Sequence, residues 1–222
     1  MDALWTTAGA TPAAARLAQE AGIPRLIAEI LISRNVTTPE AARAFLRPAT
    51  ESLHDPGLLK GADEAADRLV RAAKAGRRIV VFGDYDVDGV TSVAQLRAAL
   101  RRAGADAVAF LPHRLRDGYG LRPDTVRRVL AELSPGVIVT VDCGITAVEG
   151  VACARAAGVD VIVTDHHLVP DELPAGAVVV NPRQPGCEYP EKELAACGIA
   201  LKISEAVARR AGVTLSRESL LR

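Results

Sequence analysis

The feature that most constrains this chain is an alternation between short Val- and Ile-rich runs and longer, Ala-rich stretches with helical spacing. Short apolar runs are typical of buried strands, and strands that alternate with helices form a parallel sheet. We therefore predict an α/β fold with a mostly parallel sheet flanked by helices. The predicted strands are residues 79–82, 107–111, 137–141, 159–164 and 177–180. The predicted helices around them are residues 63–75, 90–103, 122–133, 146–157 and 193–210.

The first part of the chain has a different pattern. Three short segments, residues 12–21, 24–33 and 39–46, each begin with Pro, which is favoured in the first turn of a helix. Turn-forming residues follow at 54–57. We predict a small helical N-terminal appendage and linker at residues 1–57, followed by the main domain at residues 58–222.

Length and charge set broad limits. With 222 residues, 49% of them hydrophobic, the chain can bury one sizeable core and carry a small appendage. Its 27 basic and 27 acidic side chains give a formal net charge of zero, which argues against coating nucleic acid by bulk charge. A local basic groove beside an acidic site is compatible with this balance.

Cysteine usage indicates the compartment. The four cysteines form no C-x-x-C pair, which argues against a zinc site built from thiolates. The sequence contains neither a secretory signal nor an apolar run of membrane length. We therefore expect a reduced, cytoplasmic protein without membrane association.

An acidic motif follows the first predicted strand. Asp84, Asp86 and Asp88 lie between Gly83 and Gly89, and no Lys or Arg is among them. Like charges this close repel one another and raise their own pKa values unless a cation lies among them. A bound metal is the simplest such cation. The alternative is a solvated acidic loop with a helix cap.

A helix is predicted to begin near Val90, directly after this motif. The backbone N–H groups near Thr91 and Ser92 would then lie at the positive end of the helix, which favours phosphate. The motif and the helix start together predict a metal and phosphate site.

Polar residues also follow other predicted strands. Asp142 follows the third strand, and Asp165, His166 and His167 follow the fourth. Because the carboxyl ends of parallel strands share one edge of the sheet, these side chains are expected to meet the acidic motif. Carboxylates with imidazoles suit Mn²⁺ well and Mg²⁺ acceptably. Taken alone, Asp142 could equally be a helix cap.

This set of side chains predicts a reaction. Three or four carboxylates can hold two cations about 3.5–4 Å apart, an arrangement that activates water and stabilises an in-line displacement at phosphorus. Phosphoester hydrolysis is therefore the predicted chemistry. A bridging aspartate must come from a separate strand, which fits Asp142. The histidine that is not needed as a ligand can bind the phosphate and assist the departing oxygen.

Three motifs in this order carry a resemblance to a known family: GDYDVDG at 83–89, VDCG at 141–144 and TDHH at 164–167. They resemble the DHH phosphoesterase superfamily, and the first motif is similar to that of RecJ-like exonucleases. Two further stretches match as well: the segment RDGYGL at 116–121, and Asn181-Pro182 followed by residues 189–190 and 194–200. The resemblance implies an exonuclease that digests single-stranded DNA from the 5′ end with Mn²⁺ or Mg²⁺ in DNA repair and recombination. It also implies a single-strand-binding protein or a helicase as candidate partners.

The resemblance implies roles for individual residues. The implied metal ligands are Asp84 and Asp86 for one cation, Asp88 and His166 for the other, and Asp142 as the bridge. The implied catalytic residues are His167, Asp142 and Asp84. The implied substrate contacts are His167, Arg114, Arg116, Tyr119 and Arg122, with Tyr119 a candidate for base stacking.

One departure from the family concerns the C-terminal end. The family's catalytic domain continues to another metal-binding aspartate and then to further domains, whereas this sequence ends at Arg222. The acidic residue after Arg210 is Glu218, which does not match that motif. We therefore expect the N-terminal portion of a longer protein, with one metal site a ligand short and little or no hydrolysis by the chain alone.

Three alternatives stay open at this point. The stretch from Asp86 to Thr91 is similar to the nucleophile motif of haloacid-dehalogenase-type phosphatases, which form an aspartyl-phosphate but have no use for paired histidines. Small-substrate DHH phosphoesterases, which act on oligonucleotides, cyclic dinucleotides or pyrophosphate, open their first motif with His and Pro, unlike Gly83-Asp84-Tyr85. The third alternative is a non-catalytic DHH scaffold that binds a repair partner.

Overall fold

The computed structural model describes residues 11–49 and 53–216, and the chain forms two compact units, Met1–Leu53 and His54–Arg222. In the first unit the helices are α1 (Pro12–Ala21), α2 (Arg25–Ser33) and α3 (Pro39–Leu46). Thr11 and Thr38 cap α1 and α3 through their side chains, each followed by Pro in the first turn. The assignment of residues 1–57 as appendage and linker and of 58–222 as the phosphoesterase domain stays a prediction.

The second unit is built around a five-stranded sheet with the order β2-β1-β3-β4-β5, and all its pairings are parallel. The strands are β1 (Ile79–Gly83), β2 (Ala107–Phe110), β3 (Val137–Val141), β4 (Asp160–Thr164) and β5 (Val178–Val180). β1 and β3 are buried at every position, as expected of central strands covered on both faces. The α/β fold class predicted from the sequence is confirmed.

Helices cover both faces of this sheet. They are α4 (Ala62–Lys74), α5 (Val87–Arg102), α6 (Pro123–Leu133), α7 (Val148–Ala156) and α8 (Ala196–Ala211), and a 3₁₀ turn at Pro56–Leu58 precedes α4. Val81 packs in a core with α4, α5 and α8, whereas its neighbours Val80 and Phe82 pack in a second core with α6 and α7. This alternation follows from the two-residue period of a strand, so one short run of apolar residues supplies both cores.

Two helix starts differ from the predicted ones by three residues, and the other predicted starts lie within two residues of the structure. α5 begins at Val87, three residues before the predicted start, because the side chain of Asp86 accepts a hydrogen bond from the backbone of Gly89 and caps the helix. The N–H groups of Thr91 and Ser92 therefore lie inside α5 rather than at its positive end, which corrects the predicted phosphate position. α8 begins at Ala196 instead of residue 193.

Among the helices in the described part of the chain, none has the length and apolar character that crossing a bilayer requires.

Candidate metal centre

The centre lies where β1, β3 and β4 end. These three strands are direct neighbours in the sheet, so the loops that follow them share one edge. The loop after β1 carries Asp84 and Asp86, and Asp88 follows in the first turn of α5. The loop after β3 carries Asp142, and the loop after β4 carries the two histidines. The predicted convergence of these motifs is what the sheet order produces.

Two groups of potential ligands form at this edge. Ligand atoms of Asp84, Asp86 and Asp142 lie within 4.8 Å of one another, and so do those of Asp142, His166 and His167. Asp142 belongs to both groups. A carboxylate shared in this way can contact two cations at once.

Asp142 is buried and adopts a left-handed backbone conformation with φ of 62°. Residues other than Gly occupy this region at a cost, and such strain concentrates at functional sites. Its N–H donates to the carbonyl of Thr164, which extends the pairing of β3 with β4 by one step. Burial raises the pKa of Asp142 to about 8, and the nearby Asp88 and Asp86 carboxylates contribute to the rise. The strand pairing thus holds a carboxyl group that resists ionisation in the middle of the centre.

Asp84 is buried as well, and burial raises its pKa. Its Oδ1 atom accepts no hydrogen bond from the described residues, although it is out of contact with solvent. A buried carboxylate oxygen without a hydrogen-bond donor destabilises the folded protein, and a bound cation would offset that destabilisation. Gly89 makes this loop possible, since a Cβ there would lie 2.4 Å from the carbonyl oxygen of Asp84. The carboxylate oxygens gathered here, including the unpartnered Oδ1 of Asp84, fit a divalent cation that prefers oxygen ligands.

Asp86 is exposed, and its carboxylate has two roles. One oxygen caps α5, and the hydrogen bond from Gly89 lowers the pKa of Asp86. A carboxylate oxygen of Asp86 also belongs to the ligand group that it shares with Asp84 and Asp142.

Asp88 lies at the first turn of α5 but reaches a distant helix. Its two carboxylate oxygens accept hydrogen bonds from the backbone N–H groups of Ala196 and Cys197 at 2.9 and 2.7 Å. These groups open α8, whose own N-cap residue supplies no side-chain cap. One oxygen of Asp88 also lies 3.8 Å from Nε2 of His166, so Asp88 borders the centre while it anchors α8.

The carboxylate of Asp165 holds the two histidines that follow it through hydrogen bonds. Its Oδ1 accepts hydrogen bonds from the backbone of His166 and His167 and lies 2.7 Å from Nδ1 of His167. Its Oδ2 accepts from the backbone of Ile145 in the loop after β3. Because a carboxylate accepts, Nδ1 of His167 carries the hydrogen, which leaves Nε2 to contact a ligand. Asn181, which donates to the carbonyl of His167, completes this support.

Neither Asp165 nor Asn181 has a role predicted from the sequence motifs. Asp165 belongs to the DHH motif, and its place directly before two histidines was the available signal. Asn181 follows β5, the strand at the edge of the sheet, and its partner is a backbone carbonyl that no side-chain pattern reveals.

The residues predicted to bind substrate divide into two sets. Arg114 lies over the ring of Tyr85 at 4.8 Å, and Tyr119 meets the ring of His167 edge-on at 6.3 Å, so both border the centre. Burial raises the pKa of Tyr119, and nearby carboxylates including Asp165 raise it further, which keeps its hydroxyl a hydrogen-bond donor. The structure places Arg116 against Asp117 instead.

Arg122 lines a cavity next to the centre. The cavity has a volume of about 450 Å³ and is also lined by Tyr119, Gly144 and the first turn of α7.

The contacts of two other histidines indicate structural roles. His54 packs edge-on against Tyr189 at 5.7 Å, and Nδ1 of His113 accepts hydrogen bonds from the backbone of its own loop.

Comparison with known proteins gives consistent matches. Residues 78–220 match the family described as DHH family, N-terminal domain. The chain is 40% identical over 191 residues to the single-stranded-DNA-specific exonuclease RecJ of Bacillus subtilis (strain 168), covering 86% of this chain and 24% of that protein. It is 43% identical over 150 residues to RecJ of Thermus thermophilus, covering 65% of this chain and 22% of that protein.

Solved structures give the same picture. An exonuclease RecJ bound to manganese superimposes with a TM-score of 0.64 at 39% identity, over 70% of this chain and 39% of the other. RecJ from Thermus thermophilus in complex with Mn²⁺ gives a TM-score of 0.69 at 31% identity, over 91% of this chain and 28% of the other. The chain thus spans about a quarter of the length of the curated relatives described above.

Proposed function

This chain belongs to the DHH family, and we propose that it carries the metal centre of an exonuclease that hydrolyses phosphodiester bonds in single-stranded DNA. The family predicted from three sequence motifs is confirmed. The substrate proposal rests on the relatives, which are named as single-stranded-DNA-specific exonucleases.

The observation that carries the proposal is the shared position of Asp142. It joins the Asp84 and Asp86 group to the histidine group, from a buried and strained backbone position. A carboxylate that only capped a helix would need neither the strain nor the second group. This arrangement suits two cations that act on one phosphorus centre.

We propose Mn²⁺ or Mg²⁺ as the cofactor, in line with the Mn²⁺ and Mg²⁺ present in the RecJ structures that this chain resembles. Asp84, Asp86 and Asp142 would hold one cation, and Asp142, Asp88 and His166 the other. When bound, such cations lower the pKa of a water molecule and stabilise charge on phosphoryl oxygens.

Other residues of the chain supply proton donation and contacts to the substrate in this proposal. Asp165 holds His167 with Nδ1 protonated, so that Nε2–H of the imidazolium form can donate to a phosphate oxygen or to the departing oxygen. Arg114 and Tyr119 lie where they can contact the DNA backbone and stack on a base. Catalytic roles for His167, Asp142 and Asp84, and substrate contacts by Arg116 and Arg122, remain part of the proposal.

We propose digestion from the 5′ end, a role in DNA repair and recombination, and a cytoplasmic location. A single-strand-binding protein or a helicase is the kind of partner that such an activity would use. These finer assignments rest on the family resemblance.

The test is release of nucleotide from labelled single-stranded DNA in Mn²⁺. It is made with this chain and with a chimera in which the chain replaces the matching segment of the Bacillus subtilis relative. We expect the chimera to release nucleotide and Asp142→Ala to lower the rate at least about 100-fold, because metal catalysis contributes several kcal/mol. The exposed Asp171→Ala is the control. A folded chimera that binds Mn²⁺ but releases nothing, or one unaffected by Asp142→Ala, contradicts the proposal.

A further inference from the structure

The loop between β2 and α6 contains a buried carboxylate that the metal centre does not use. The side chain of Asp117 is 7% exposed although the loop around it lies on the surface. One oxygen accepts a hydrogen bond from the backbone of His113 at 2.7 Å. Arg128 donates to both oxygens at 2.6 and 3.0 Å, and Arg116 donates from the loop itself at 3.2 Å. We call this arrangement of Asp117, Arg128 and the His113 amide the loop clamp.

The loop clamp is fixed to the body of the fold. Arg128 lies on α6, and its guanidinium stacks over the ring of Phe110 at 4.9 Å. Phe110 ends β2 and stacks in turn on Phe82 of β1 at 5.3 Å. A bidentate guanidinium-carboxylate pair restricts both partners more than a single ion pair does. Asp117 is therefore held at a defined place relative to the sheet.

The residues on either side of Asp117 lie in solvent or border the centre. Leu115 is 90% exposed, so the loop tip has little packing of its own. Three residues before Asp117, Arg114 reaches Tyr85 in the acidic motif, and two residues after it, Tyr119 meets His167. A loop with so little apolar contact needs another source of order if it is to present these two side chains in one place.

We propose that Asp117 and Arg128 are positioning residues that hold the loop of residues 113–119 so that Arg114 and Tyr119 meet a single-stranded nucleic acid at the metal centre. This inference rests on the proposed function. The loop clamp orders the loop before the strand arrives, so that strand binding does not have to order it. Asp117 itself touches neither cation nor substrate, and its effect is expected on strand affinity rather than on metal affinity.

The test compares Asp117→Asn and Arg128→Gln with the control Asp124→Asn. Asp124 pairs with Arg127 at the start of the same helix, but its side chain is 83% exposed and outside the loop clamp. Three quantities are measured on the full chain at a temperature where circular dichroism shows every variant folded. They are the affinity for a nuclease-resistant phosphorothioate oligothymidylate, the affinity for Mn²⁺, and the hydrogen exchange of residues 113–119.

We expect Asp117→Asn and Arg128→Gln each to weaken oligonucleotide binding about tenfold. In either variant the side chains of Arg114 and Tyr119 must be ordered when the strand binds. Exchange in the loop is expected to accelerate, while the affinity for Mn²⁺ stays within about twofold of wild type. The double variant is expected to lose no more than either single variant, because both remove the same interaction.

Three results would overturn the inference. Unchanged exchange in the loop would show that the clamp does not order it, and faster exchange with unchanged oligonucleotide affinity would show that the order does not serve binding. If wild type binds Mn²⁺ but no oligonucleotide, the proposed substrate itself is wrong and the positioning role is rejected with it. These failures are distinguishable, because only the last is seen in wild type.

Discussion

Nε2 of His166 lies 3.1 Å from Oδ1 of Asp142, although the two residues come from different loops. The pairing of β3 with β4 places these loops side by side, and the buried position of Asp142 keeps its carboxyl group directed at the imidazole. This contact connects the acidic group to the histidine group.

Asp142→Asn is expected to stabilise the metal-free protein. The substitution replaces a carboxyl group whose ionisation is opposed by burial and by neighbouring carboxylates, and Asn tolerates the left-handed region that Asp142 occupies. Thermal unfolding at pH 8 with a chelator is expected to show a melting temperature about 3–6 °C higher than wild type. The exposed Asp171→Asn is the control, and a lower melting temperature for Asp142→Asn would refute the electrostatic account.

Asp88→Asn is expected to have the opposite effect on the metal-free protein. Ala196 and Cys197 donate to different carboxylate oxygens, and Asn replaces one of these with an NH₂ group, so one N–H group at the start of α8 loses its acceptor. The expected loss is about 1–2 kcal/mol, as for other helix caps, measured by denaturant unfolding with a chelator. Unchanged stability would mean that these hydrogen bonds do not hold α8.

Asp165→Asn is expected to disturb His167 without removing a cation ligand. Loss of the carboxylate acceptor frees the tautomer and ring orientation of His167, a support that is typically worth about 10–100-fold. We expect nucleotide release by the chimera to fall by about that factor, and the Nδ1–H signal of His167 in nitrogen-15 NMR to disappear. The control is Asp160→Asn at the other end of β4. If the NMR signal persists, Asp165 does not set the tautomer.

The ion pairs and hydrogen bonds of Asp117 predict how the stability of the protein depends on pH. Burial alone would raise the pKa of Asp117, but hydrogen bonds from the His113 amide, Arg128 and Arg116 hold it well below its usual range. A carboxyl group with a depressed pKa in the folded state contributes stability above its ordinary pKa and loses it as the pH falls toward the folded value.

The stability difference between wild type and Asp117→Asn is therefore expected to be largest above about pH 5 and to shrink below about pH 4. Urea unfolding of both proteins across this range measures it. A difference that is constant with pH would show that the Asp117 charge is not what stabilises the folded loop.

Much of the fold could be predicted from the sequence because its information is local. Strands such as β1 and β3 are continuous Val and Ile runs, and their predicted starts at Ile79 and Val137 match the structure. The predicted start of α5 was wrong because Asp86 and Gly89 look like turn residues in the sequence, while in the structure they form the helix cap.

The site was harder to predict because its supports are long-range. The sequence indicated which side chains would meet at the edge of the sheet, since each follows a strand. It gave no sign that Asp88 anchors a helix 108 residues later, or that Asp165 holds the backbone of Ile145 in another loop. These partners are backbone N–H groups, which nearly every residue has, so no residue pattern marks them. The left-handed conformation of Asp142 is likewise a product of the assembled edge.

The most direct test of the central claim is the affinity of this chain for Mn²⁺, measured by isothermal titration calorimetry for wild type, Asp142→Asn and Asp171→Asn. We expect saturable binding by wild type and Asp171→Asn, and binding at least about tenfold weaker by Asp142→Asn. Because Asp142→Asn is expected to be the more stable protein without metal, unfolding cannot explain such a loss. Equal Mn²⁺ affinity in Asp142→Asn and wild type would contradict the assignment of Asp142 as the residue that joins the two ligand groups.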